Sequence, residues 1–231
     1  MALIRCDGVG LIKKGQSILR DISFQVEEGE LLGIAGPSGS GKTSLLRILN
    51  LLQSPTEGTV WYKNKDATTY DPAQLRREIG YVLQKPYLFE GTVRDNLAYP
   101  YLVWNQKPDE TEITSYLAKV NLTADMLDKR GSEMSGGEQQ RVSLVRSLLA
   151  KPSVLLLDEI SASLDESNTL TLEQLIREEL TARNVTVLFI SHNNDQLRRL
   201  AQKILYIKQG YISFCGTAED FFREQGGGKN E

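Results

Sequence analysis

Eight residues, GPSGSGKT at 36–43, fit the pattern G-x-x-x-x-G-K-[ST] through Gly36, Gly41, Lys42 and Thr43. They follow an apolar run that reads as a strand, ELLGIA, and open a run with helical spacing, KTSLLRILNLL. That strand–loop–helix setting is what the pattern requires of a phosphate cradle. Glycines let the backbone curl until successive N–H groups point inward as an anion nest. The helix start adds about half a positive charge. Gly36, Pro37, Ser38, Gly39, Ser40, Gly41, Lys42, Thr43 and Ser44 are therefore expected to hold a nucleotide. Lys42 reaches the β- and γ-phosphates, and Thr43 offers its hydroxyl to Mg2+. A purely structural glycine turn is the alternative, and the setting disfavours it.

A second chemical group ends the apolar run SVLLLDE, in the carboxylates Asp158 and Glu159. Neighbours on a strand point to opposite sides. One carboxylate can then face a metal while the other faces water. Asp158 is assigned to Mg2+, and Glu159 to polarising the attacking water. Standing alone, such a pair reads as a solvated strand end; beside a phosphate loop it reads as chemistry. The chain's single histidine, His192, ends another buried run, VTVLFIS. Ligands of open α/β sheets bind at the carboxyl ends of the strands. Ala35, Asp158 and Ser191–His192 should meet there. A neutral imidazole could bond the γ-phosphate or orient the water of Glu159. A structural strand-end histidine is the plainer alternative.

A third feature is MSGGEQQR at 134–141. Ser135 and Glu138 form a capping-box pattern, which alone could explain a helix start. Gly136 and Gly137, however, cost a helix about 1 kcal/mol each. Bare backbone at a positive helix end suits a phosphate. The loop at 36–43 already serves its own nucleotide, so this second site should meet a nucleotide held by another copy. Two copies head to tail would bury two ATP molecules in a symmetric interface.

The elements that must position these residues follow from periodicity. ALIRC, ISFQV, ELLGIA, GTVWYK, IGYVLQ, SVLLLDE and VTVLFIS read as strands, and KILYIKQGYISF as a hairpin turning at Gln209–Gly210. TVRDNLAY carries a Thr-x-x-Asp start, DETEITSYLAKV has helical spacing, and TLEQLIREEL puts Leu172, Ile176 and Leu180 on one stripe. TAEDFFRE reads as a short terminal helix. Alternating strands and helices imply an α/β layered core, with the helical stretch at about 86–150 inserted between two core strands. One domain over 1–225 and a disordered tail at 226–231 are expected.

Composition sets the bounds. Net charge is −3, so no general nucleic-acid or anionic-membrane surface is expected. Cys6 and Cys215 are too few for a disulfide framework and read as small buried hydrophobes in a reducing cytoplasm. No apolar run reaches the ~20 residues needed to span a bilayer. Work at a membrane would need another chain to supply the membrane part.

Together these motifs resemble the nucleotide-binding subunits of ABC transporters. In that family's order come Walker A (GPSGSGKT), the Q-loop glutamine (Gln84 in YVLQKP), the signature (MSGGEQQR), Walker B (VLLLDE), the D-loop (SASLD) and the switch (SHN). The resemblance implies a P-loop NTPase (RecA-like) core with an N-terminal antiparallel β subdomain and an inserted α-helical subdomain. It implies ATP hydrolysis with Mg2+, an ATP-dependent head-to-tail dimer and a separate transmembrane permease on whose inner, cytoplasmic face the subunit sits. It also implies that Gln84 senses Mg2+ and water and couples to the membrane partner, and that Asp165 lies in the loop crossing the dimer interface. Three departures stand out. Met134 and Glu138 replace the usual ends of the signature, and Glu138 brings a carboxylate near the trans nucleotide. Ile160 follows Walker B where proline is common. GLIKK at 10–14 lacks the base-stacking aromatic, so Leu11 or Ile12 is expected to pack on the base. LLLDEISASLDESN, MSGGEQQRVSLVRSL and GTVRDNLAYP are similar to the ATP-binding subunits of Fet-type iron exporters. A soluble ABC ATPase of an assembly complex, of the iron–sulfur type, is the rival within the family. Tyr87, Leu88, Phe89, Tyr99, Tyr101, Val103 and Trp104 either line a groove for a partner's short helix or form the inserted subdomain's own core.

Overall fold

The computed structural model describes residues 2–227. Two sheets organise it. The first is antiparallel, in the order β2-β1-β4-β5, from β1 (Ala2–Lys13), β2 (Gln16–Glu27), β4 (Glu57–Tyr62) and the short β5 (Lys65–Asp66). The second has the order β10-β9-β3-β8-β7-β6. Its strands are β3 (Leu31–Ala35), β6 (Ile79–Val82), β7 (Val154–Asp158), β8 (Thr186–Ile190), β9 (Lys203–Lys208) and β10 (Tyr211–Thr217). All its pairings are parallel except the β9–β10 hairpin. Gln209 and Gly210 turn that hairpin with φ of +52° and +83°. Two successive positive φ values are what a tight two-residue hairpin turn demands.

Every residue of β3, β7 and β8 is buried, because both faces of the sheet are covered. The strand period of two divides them cleanly. Leu155, Leu157, Val187 and Phe189 face one core, which includes Leu144 and Leu148 of α5 (Gly136–Leu149) and Leu172 and Ile176 of α6 (Glu166–Arg183). Leu156, Leu188, Leu32 and Ile34 face the other, with Leu45 and Leu49 of α1 (Lys42–Leu49) and the inner face of the antiparallel sheet. The parallel sheet is thus the middle layer between helices and a second sheet.

A short helix, α2 (Pro72–Glu78), starts on a cap from Asp71 and leads into β6. Between β6 and β7 lie α3 (Val93–Val103), α4 (Glu110–Lys119) and α5. Thr92 and Asp95 cap α3 reciprocally, and Thr92 bridges to Arg130, closing the part of this excursion that holds α3 and α4. Helix α7 (Asn194–Leu200) follows β8. The tail expected from 226 begins inside α8 (Ala218–Gly227), and residues 228–231 lie outside those described. Cys6 is buried, but Cys215 is exposed, contrary to expectation. The burial of β10 alternates between exposed and half-buried along its length, and position 215 falls on the exposed side. Among the described residues no helix is long and apolar enough to cross a membrane.

The central layer makes a direct prediction. Leu156→Ala, at 0% exposure in β7, should lower unfolding free energy by about 2–5 kcal/mol in chemical denaturation. Leu102→Ala, at 58% exposure on α3, should stay within about 0.5 kcal/mol of wild type.

Candidate functional site

The loop between β3 and α1 sits at the carboxyl end of the parallel strands. Gly36, Gly39 and Gly41 have φ of +138°, +77° and +102°. A Cβ on Gly36 would stand 2.0 Å from the carbonyl oxygen of Ile207, and one on Gly41 2.5 Å from Leu19. These glycines are demanded by conformation and by close approach. Lys42 folds back, donating to the carbonyls of Gly36 (2.8 Å) and Pro37 (2.9 Å). Burial holds its ammonium below the ordinary lysine value, against the opposing pull of Glu159 and Asp158. The Ser40 hydroxyl is buried inside the loop with no hydrogen-bond partner. A curled backbone, a buried ammonium and an orphaned hydroxyl fit a polyphosphate.

Asp158, the last residue of β7, is 1% exposed. Its Oδ1 accepts from the Thr43 hydroxyl at 3.0 Å, and its Oδ2 from the Tyr81 phenol at 2.7 Å. Because Thr43 donates its proton to Asp158, its lone pairs stay available. A hydroxyl oxygen beside a carboxylate is a fitting donor set for Mg2+, a cation that prefers oxygen ligands. Burial, with Asp158 beside it, pushes the Tyr81 phenol well above the ordinary tyrosine value, so it acts as a donor.

Glu159 is turned differently from what alternation along a strand would give. The strand ends at Asp158, and Glu159 takes a left-handed φ of +50°. Its direction comes from that turn. Its Oε2 accepts from Gln84 Nε2 at 2.7 Å, and its Oε1 meets His192 Nε2 at 2.9 Å. Residues expected from three separate motifs therefore converge on one carboxylate. They line a cleft of about 580 Å³ with Lys13, Ile18 and the loop from Ser38 to Ser44. That volume is in the range of small-ligand sites.

Leu11 does not reach this cleft. It is 3% exposed and packs in the core between the antiparallel sheet and α1, opposite Leu19. Irregular register on both sides of Leu11 breaks the alternation, so positions 9–11 are buried in a row. Ile12 is exposed but absent from the cleft lining; Ile18 and Lys13 take that place. Neither residue stood out in the sequence, because their position depends on a strand-end turn.

Ser135, Gly136, Gly137, Glu138 and Asp165 do not line the cleft either. Ser135 caps α5, and Glu138 Oε2 accepts from its N–H at 2.7 Å and its hydroxyl at 2.8 Å. Those bonds hold the Glu138 carboxyl below its ordinary value. A Cβ on Gly137 would lie 3.1 Å from Leu164, so this glycine has a reason within its own chain. A Cβ on Gly136 would meet nothing within 4 Å, so Gly136 has none. Asp165 caps α6 through Asn168, which also bonds Arg141 of α5.

The aromatic residues after Gln84 divide between the two roles. Tyr101 is core, at 5% exposure. Tyr87, Phe89, Tyr99 and Val103 are exposed, and Phe89 stacks against Tyr99, with ring centroids 4.6 Å apart, and under Arg146. Leu88 is half-buried, and Trp104 lies under Arg77. Tyr87, Leu88 and Phe89 line a cleft of about 610 Å³ that continues to Arg130 and Gln139.

Comparison with known proteins places this arrangement. The model of the ABC transporter family matches residues 19–162. The "Probable iron export ATP-binding protein FetA" of Escherichia coli K12 is 38% identical over 206 residues, 89% of this chain and 91% of that protein. A bacterial Atm1-family ABC exporter with ATP bound superposes with a TM-score of 0.87 at 26% identity, covering 96% of this chain and 40% of that one. The ATP-binding cassette MJ0796, in a dimeric post-hydrolysis state with ADP and Pi, superposes with a TM-score of 0.84 at 26% identity, covering 93% of this chain and 98% of that one.

The loop geometry separates two glycines by experiment. Gly36→Ala should abolish ATP binding in a calorimetric titration, since its Cβ meets backbone. Gly39→Ala faces open space and should keep measurable binding, losing only about 1–2 kcal/mol of stability to its positive φ.

Proposed function

The chain belongs to the ABC transporter family and is an ATPase of that family, and on that premise we propose that it works as a head-to-tail dimer driving a separate membrane subunit. Each copy holds ATP on its loop of residues 36–44, with Lys42 moving from its own carbonyls to the β- and γ-phosphates. Thr43, Asp158 and Gln84 are the residues that would hold Mg2+, which supplies charge neutralisation between those phosphates. Glu159 accepts the proton of the attacking water. His192, already against Glu159, orients that carboxylate and meets the γ-phosphate. Ser135 and Gly136 of the other copy complete the pocket by donating to the same phosphate.

One observation carries the dimer. The serine–glycine tip lies outside the cleft of its own chain, and Gly136 faces open space. A glycine that costs helix stability and is required by no neighbour in its own chain points to a surface that arrives from elsewhere. That MJ0796 is found as a dimer supports self-association of such a chain.

The coupled partner is a transmembrane permease, which places this chain on the inner, cytoplasmic face of the cell membrane. Tyr87 and Phe89 support it: exposed aromatics border a cleft three to five residues beyond Gln84, which itself grips Glu159. A helix seated there would feel the state of the carboxylate through one short loop. The proposed cargo is iron, moving outward, on the strength of the similarity to FetA over 89% of the chain.

Glu159→Gln should bind ATP and accumulate as a dimer in light scattering, while wild type with ADP stays monomeric. Gly136→Ala should keep or slightly raise the melting temperature, since alanine favours a helix by about 1 kcal/mol. It should also cut ATP turnover at least tenfold with monomer ATP affinity unchanged. Turnover per enzyme that is flat on dilution, or untouched in Gly136→Ala, would refute the shared pocket.

A further inference from the structure

Asp158 is nearly sealed from water, yet neither hydroxyl on it carries charge. Thr43 belongs to the phosphate loop and is expected to contact the metal. Tyr81 belongs to no motif. It lies on β6, beside Leu156 in the parallel register, and its ring crosses to the end of β7. Its phenol donates to Asp158 Oδ2 at 2.7 Å, shorter than the 3.0 Å bond from Thr43 to Oδ1. The phenol is the donor in this bond, so its proton points at Asp158. The carboxylate plane is thus set by three elements: α1, β6 and β7.

We propose that Tyr81 is a positioning residue for the metal, pinning one oxygen of Asp158 so that the other, with the Thr43 hydroxyl bonded to it, presents a single orientation to Mg2+. This rests on the assignment of Asp158 to the metal within the ATPase reading above. A carboxylate free to rotate about its last bond would spread its oxygens over several orientations. Pinning removes that freedom before the metal arrives, which is how groups behind a ligand raise metal affinity. Tyr81 also stands three residues before Gln84. The strand that leads to the residue gripping Glu159 is therefore anchored to Asp158.

The test uses Tyr81→Phe, which keeps the ring and removes only the hydroxyl. Mn2+ serves as the probe, followed by electron paramagnetic resonance in the presence of AMP-PNP, a nucleotide that is not hydrolysed. AMP-PNP binding is titrated separately in EDTA. The expected result is a Mn2+ dissociation constant raised about tenfold or more, a broadened Mn2+ spectrum, and an unchanged affinity for AMP-PNP in EDTA. An unchanged Mn2+ constant and spectrum would overturn the proposal. An equal loss of AMP-PNP affinity in EDTA would overturn it too, by showing that the hydroxyl supports the fold of the site and not the metal. Wild-type protein that binds AMP-PNP but no Mn2+ would remove the metal assignment of Asp158 and the pin with it. Wild-type protein that binds no AMP-PNP would instead strike the ATPase reading itself.

Discussion

A carboxylate taken almost wholly out of water must be compensated on the spot, and Asp158 is the case on which this structure turns. Its compensation comes from two hydroxyls and from the field of Lys42, a residue of the phosphate loop. Each partner arrives on a different element. Thr43 and Lys42 open α1, Tyr81 lies near the end of the neighbouring edge strand β6, and the carboxylate closes β7. Asp158 thus ties the phosphate loop to the end of a β6–β7 ladder whose register the backbone pairing already sets.

The next residue shows the opposite solution. Glu159 leaves the strand by a left-handed turn, an uncommon backbone state for a residue with a side chain. The turn carries its carboxylate away from Asp158 and toward Gln84 and His192. Two neighbouring carboxylates thus end in separate surroundings, one buried among hydroxyls and one at the cleft wall. Placing like charges on adjacent residues is tolerable because the backbone directs them apart. Both oxygens of Glu159 are engaged by residues of its own chain, so any further partner of this carboxylate must displace Gln84 or His192 or share an oxygen with one of them.

Much of this was legible before any coordinates. Continuous apolar runs announced the buried strands β3, β7 and β8, and the parallel-sheet rule placed their ends together. What failed were positions decided by register rather than by residue type. Leu11 or Ile12 stands where the family carries a base-stacking aromatic, but irregular pairing along β1 turns Leu11 into the core, and Ile12 does not line the cleft. Cys215 was expected inside because cysteines usually are, but it falls on the exposed side of an edge strand. Tyr81 gave no signal at all. Its importance lies in a partner 77 residues away on the neighbouring strand, and no local pattern encodes which strands become neighbours.

Register also explains why the helix tip and the loop after Walker B behave as one body. Gly137 lets Leu164 approach to within a Cβ's width. Arg141, one turn further along α5, reaches Asn168, and Asn168 holds Asp165 by 2.7 Å bonds from its backbone and side chain. Asp165 in turn caps α6, and the pull of Asn168 holds its carboxyl below the ordinary aspartate value. The start of α5 cannot tilt without carrying the start of α6. Both starts are exposed and both lie outside the chain's own nucleotide cleft. A partner docking against Ser135 and Gly136 would consequently press on the segment 161–165 as well. That segment runs straight back to Glu159. A signal entering at the glycine tip thus has a short covalent and hydrogen-bonded route to the carboxylate held by Gln84 and His192, with no need for the core to rearrange.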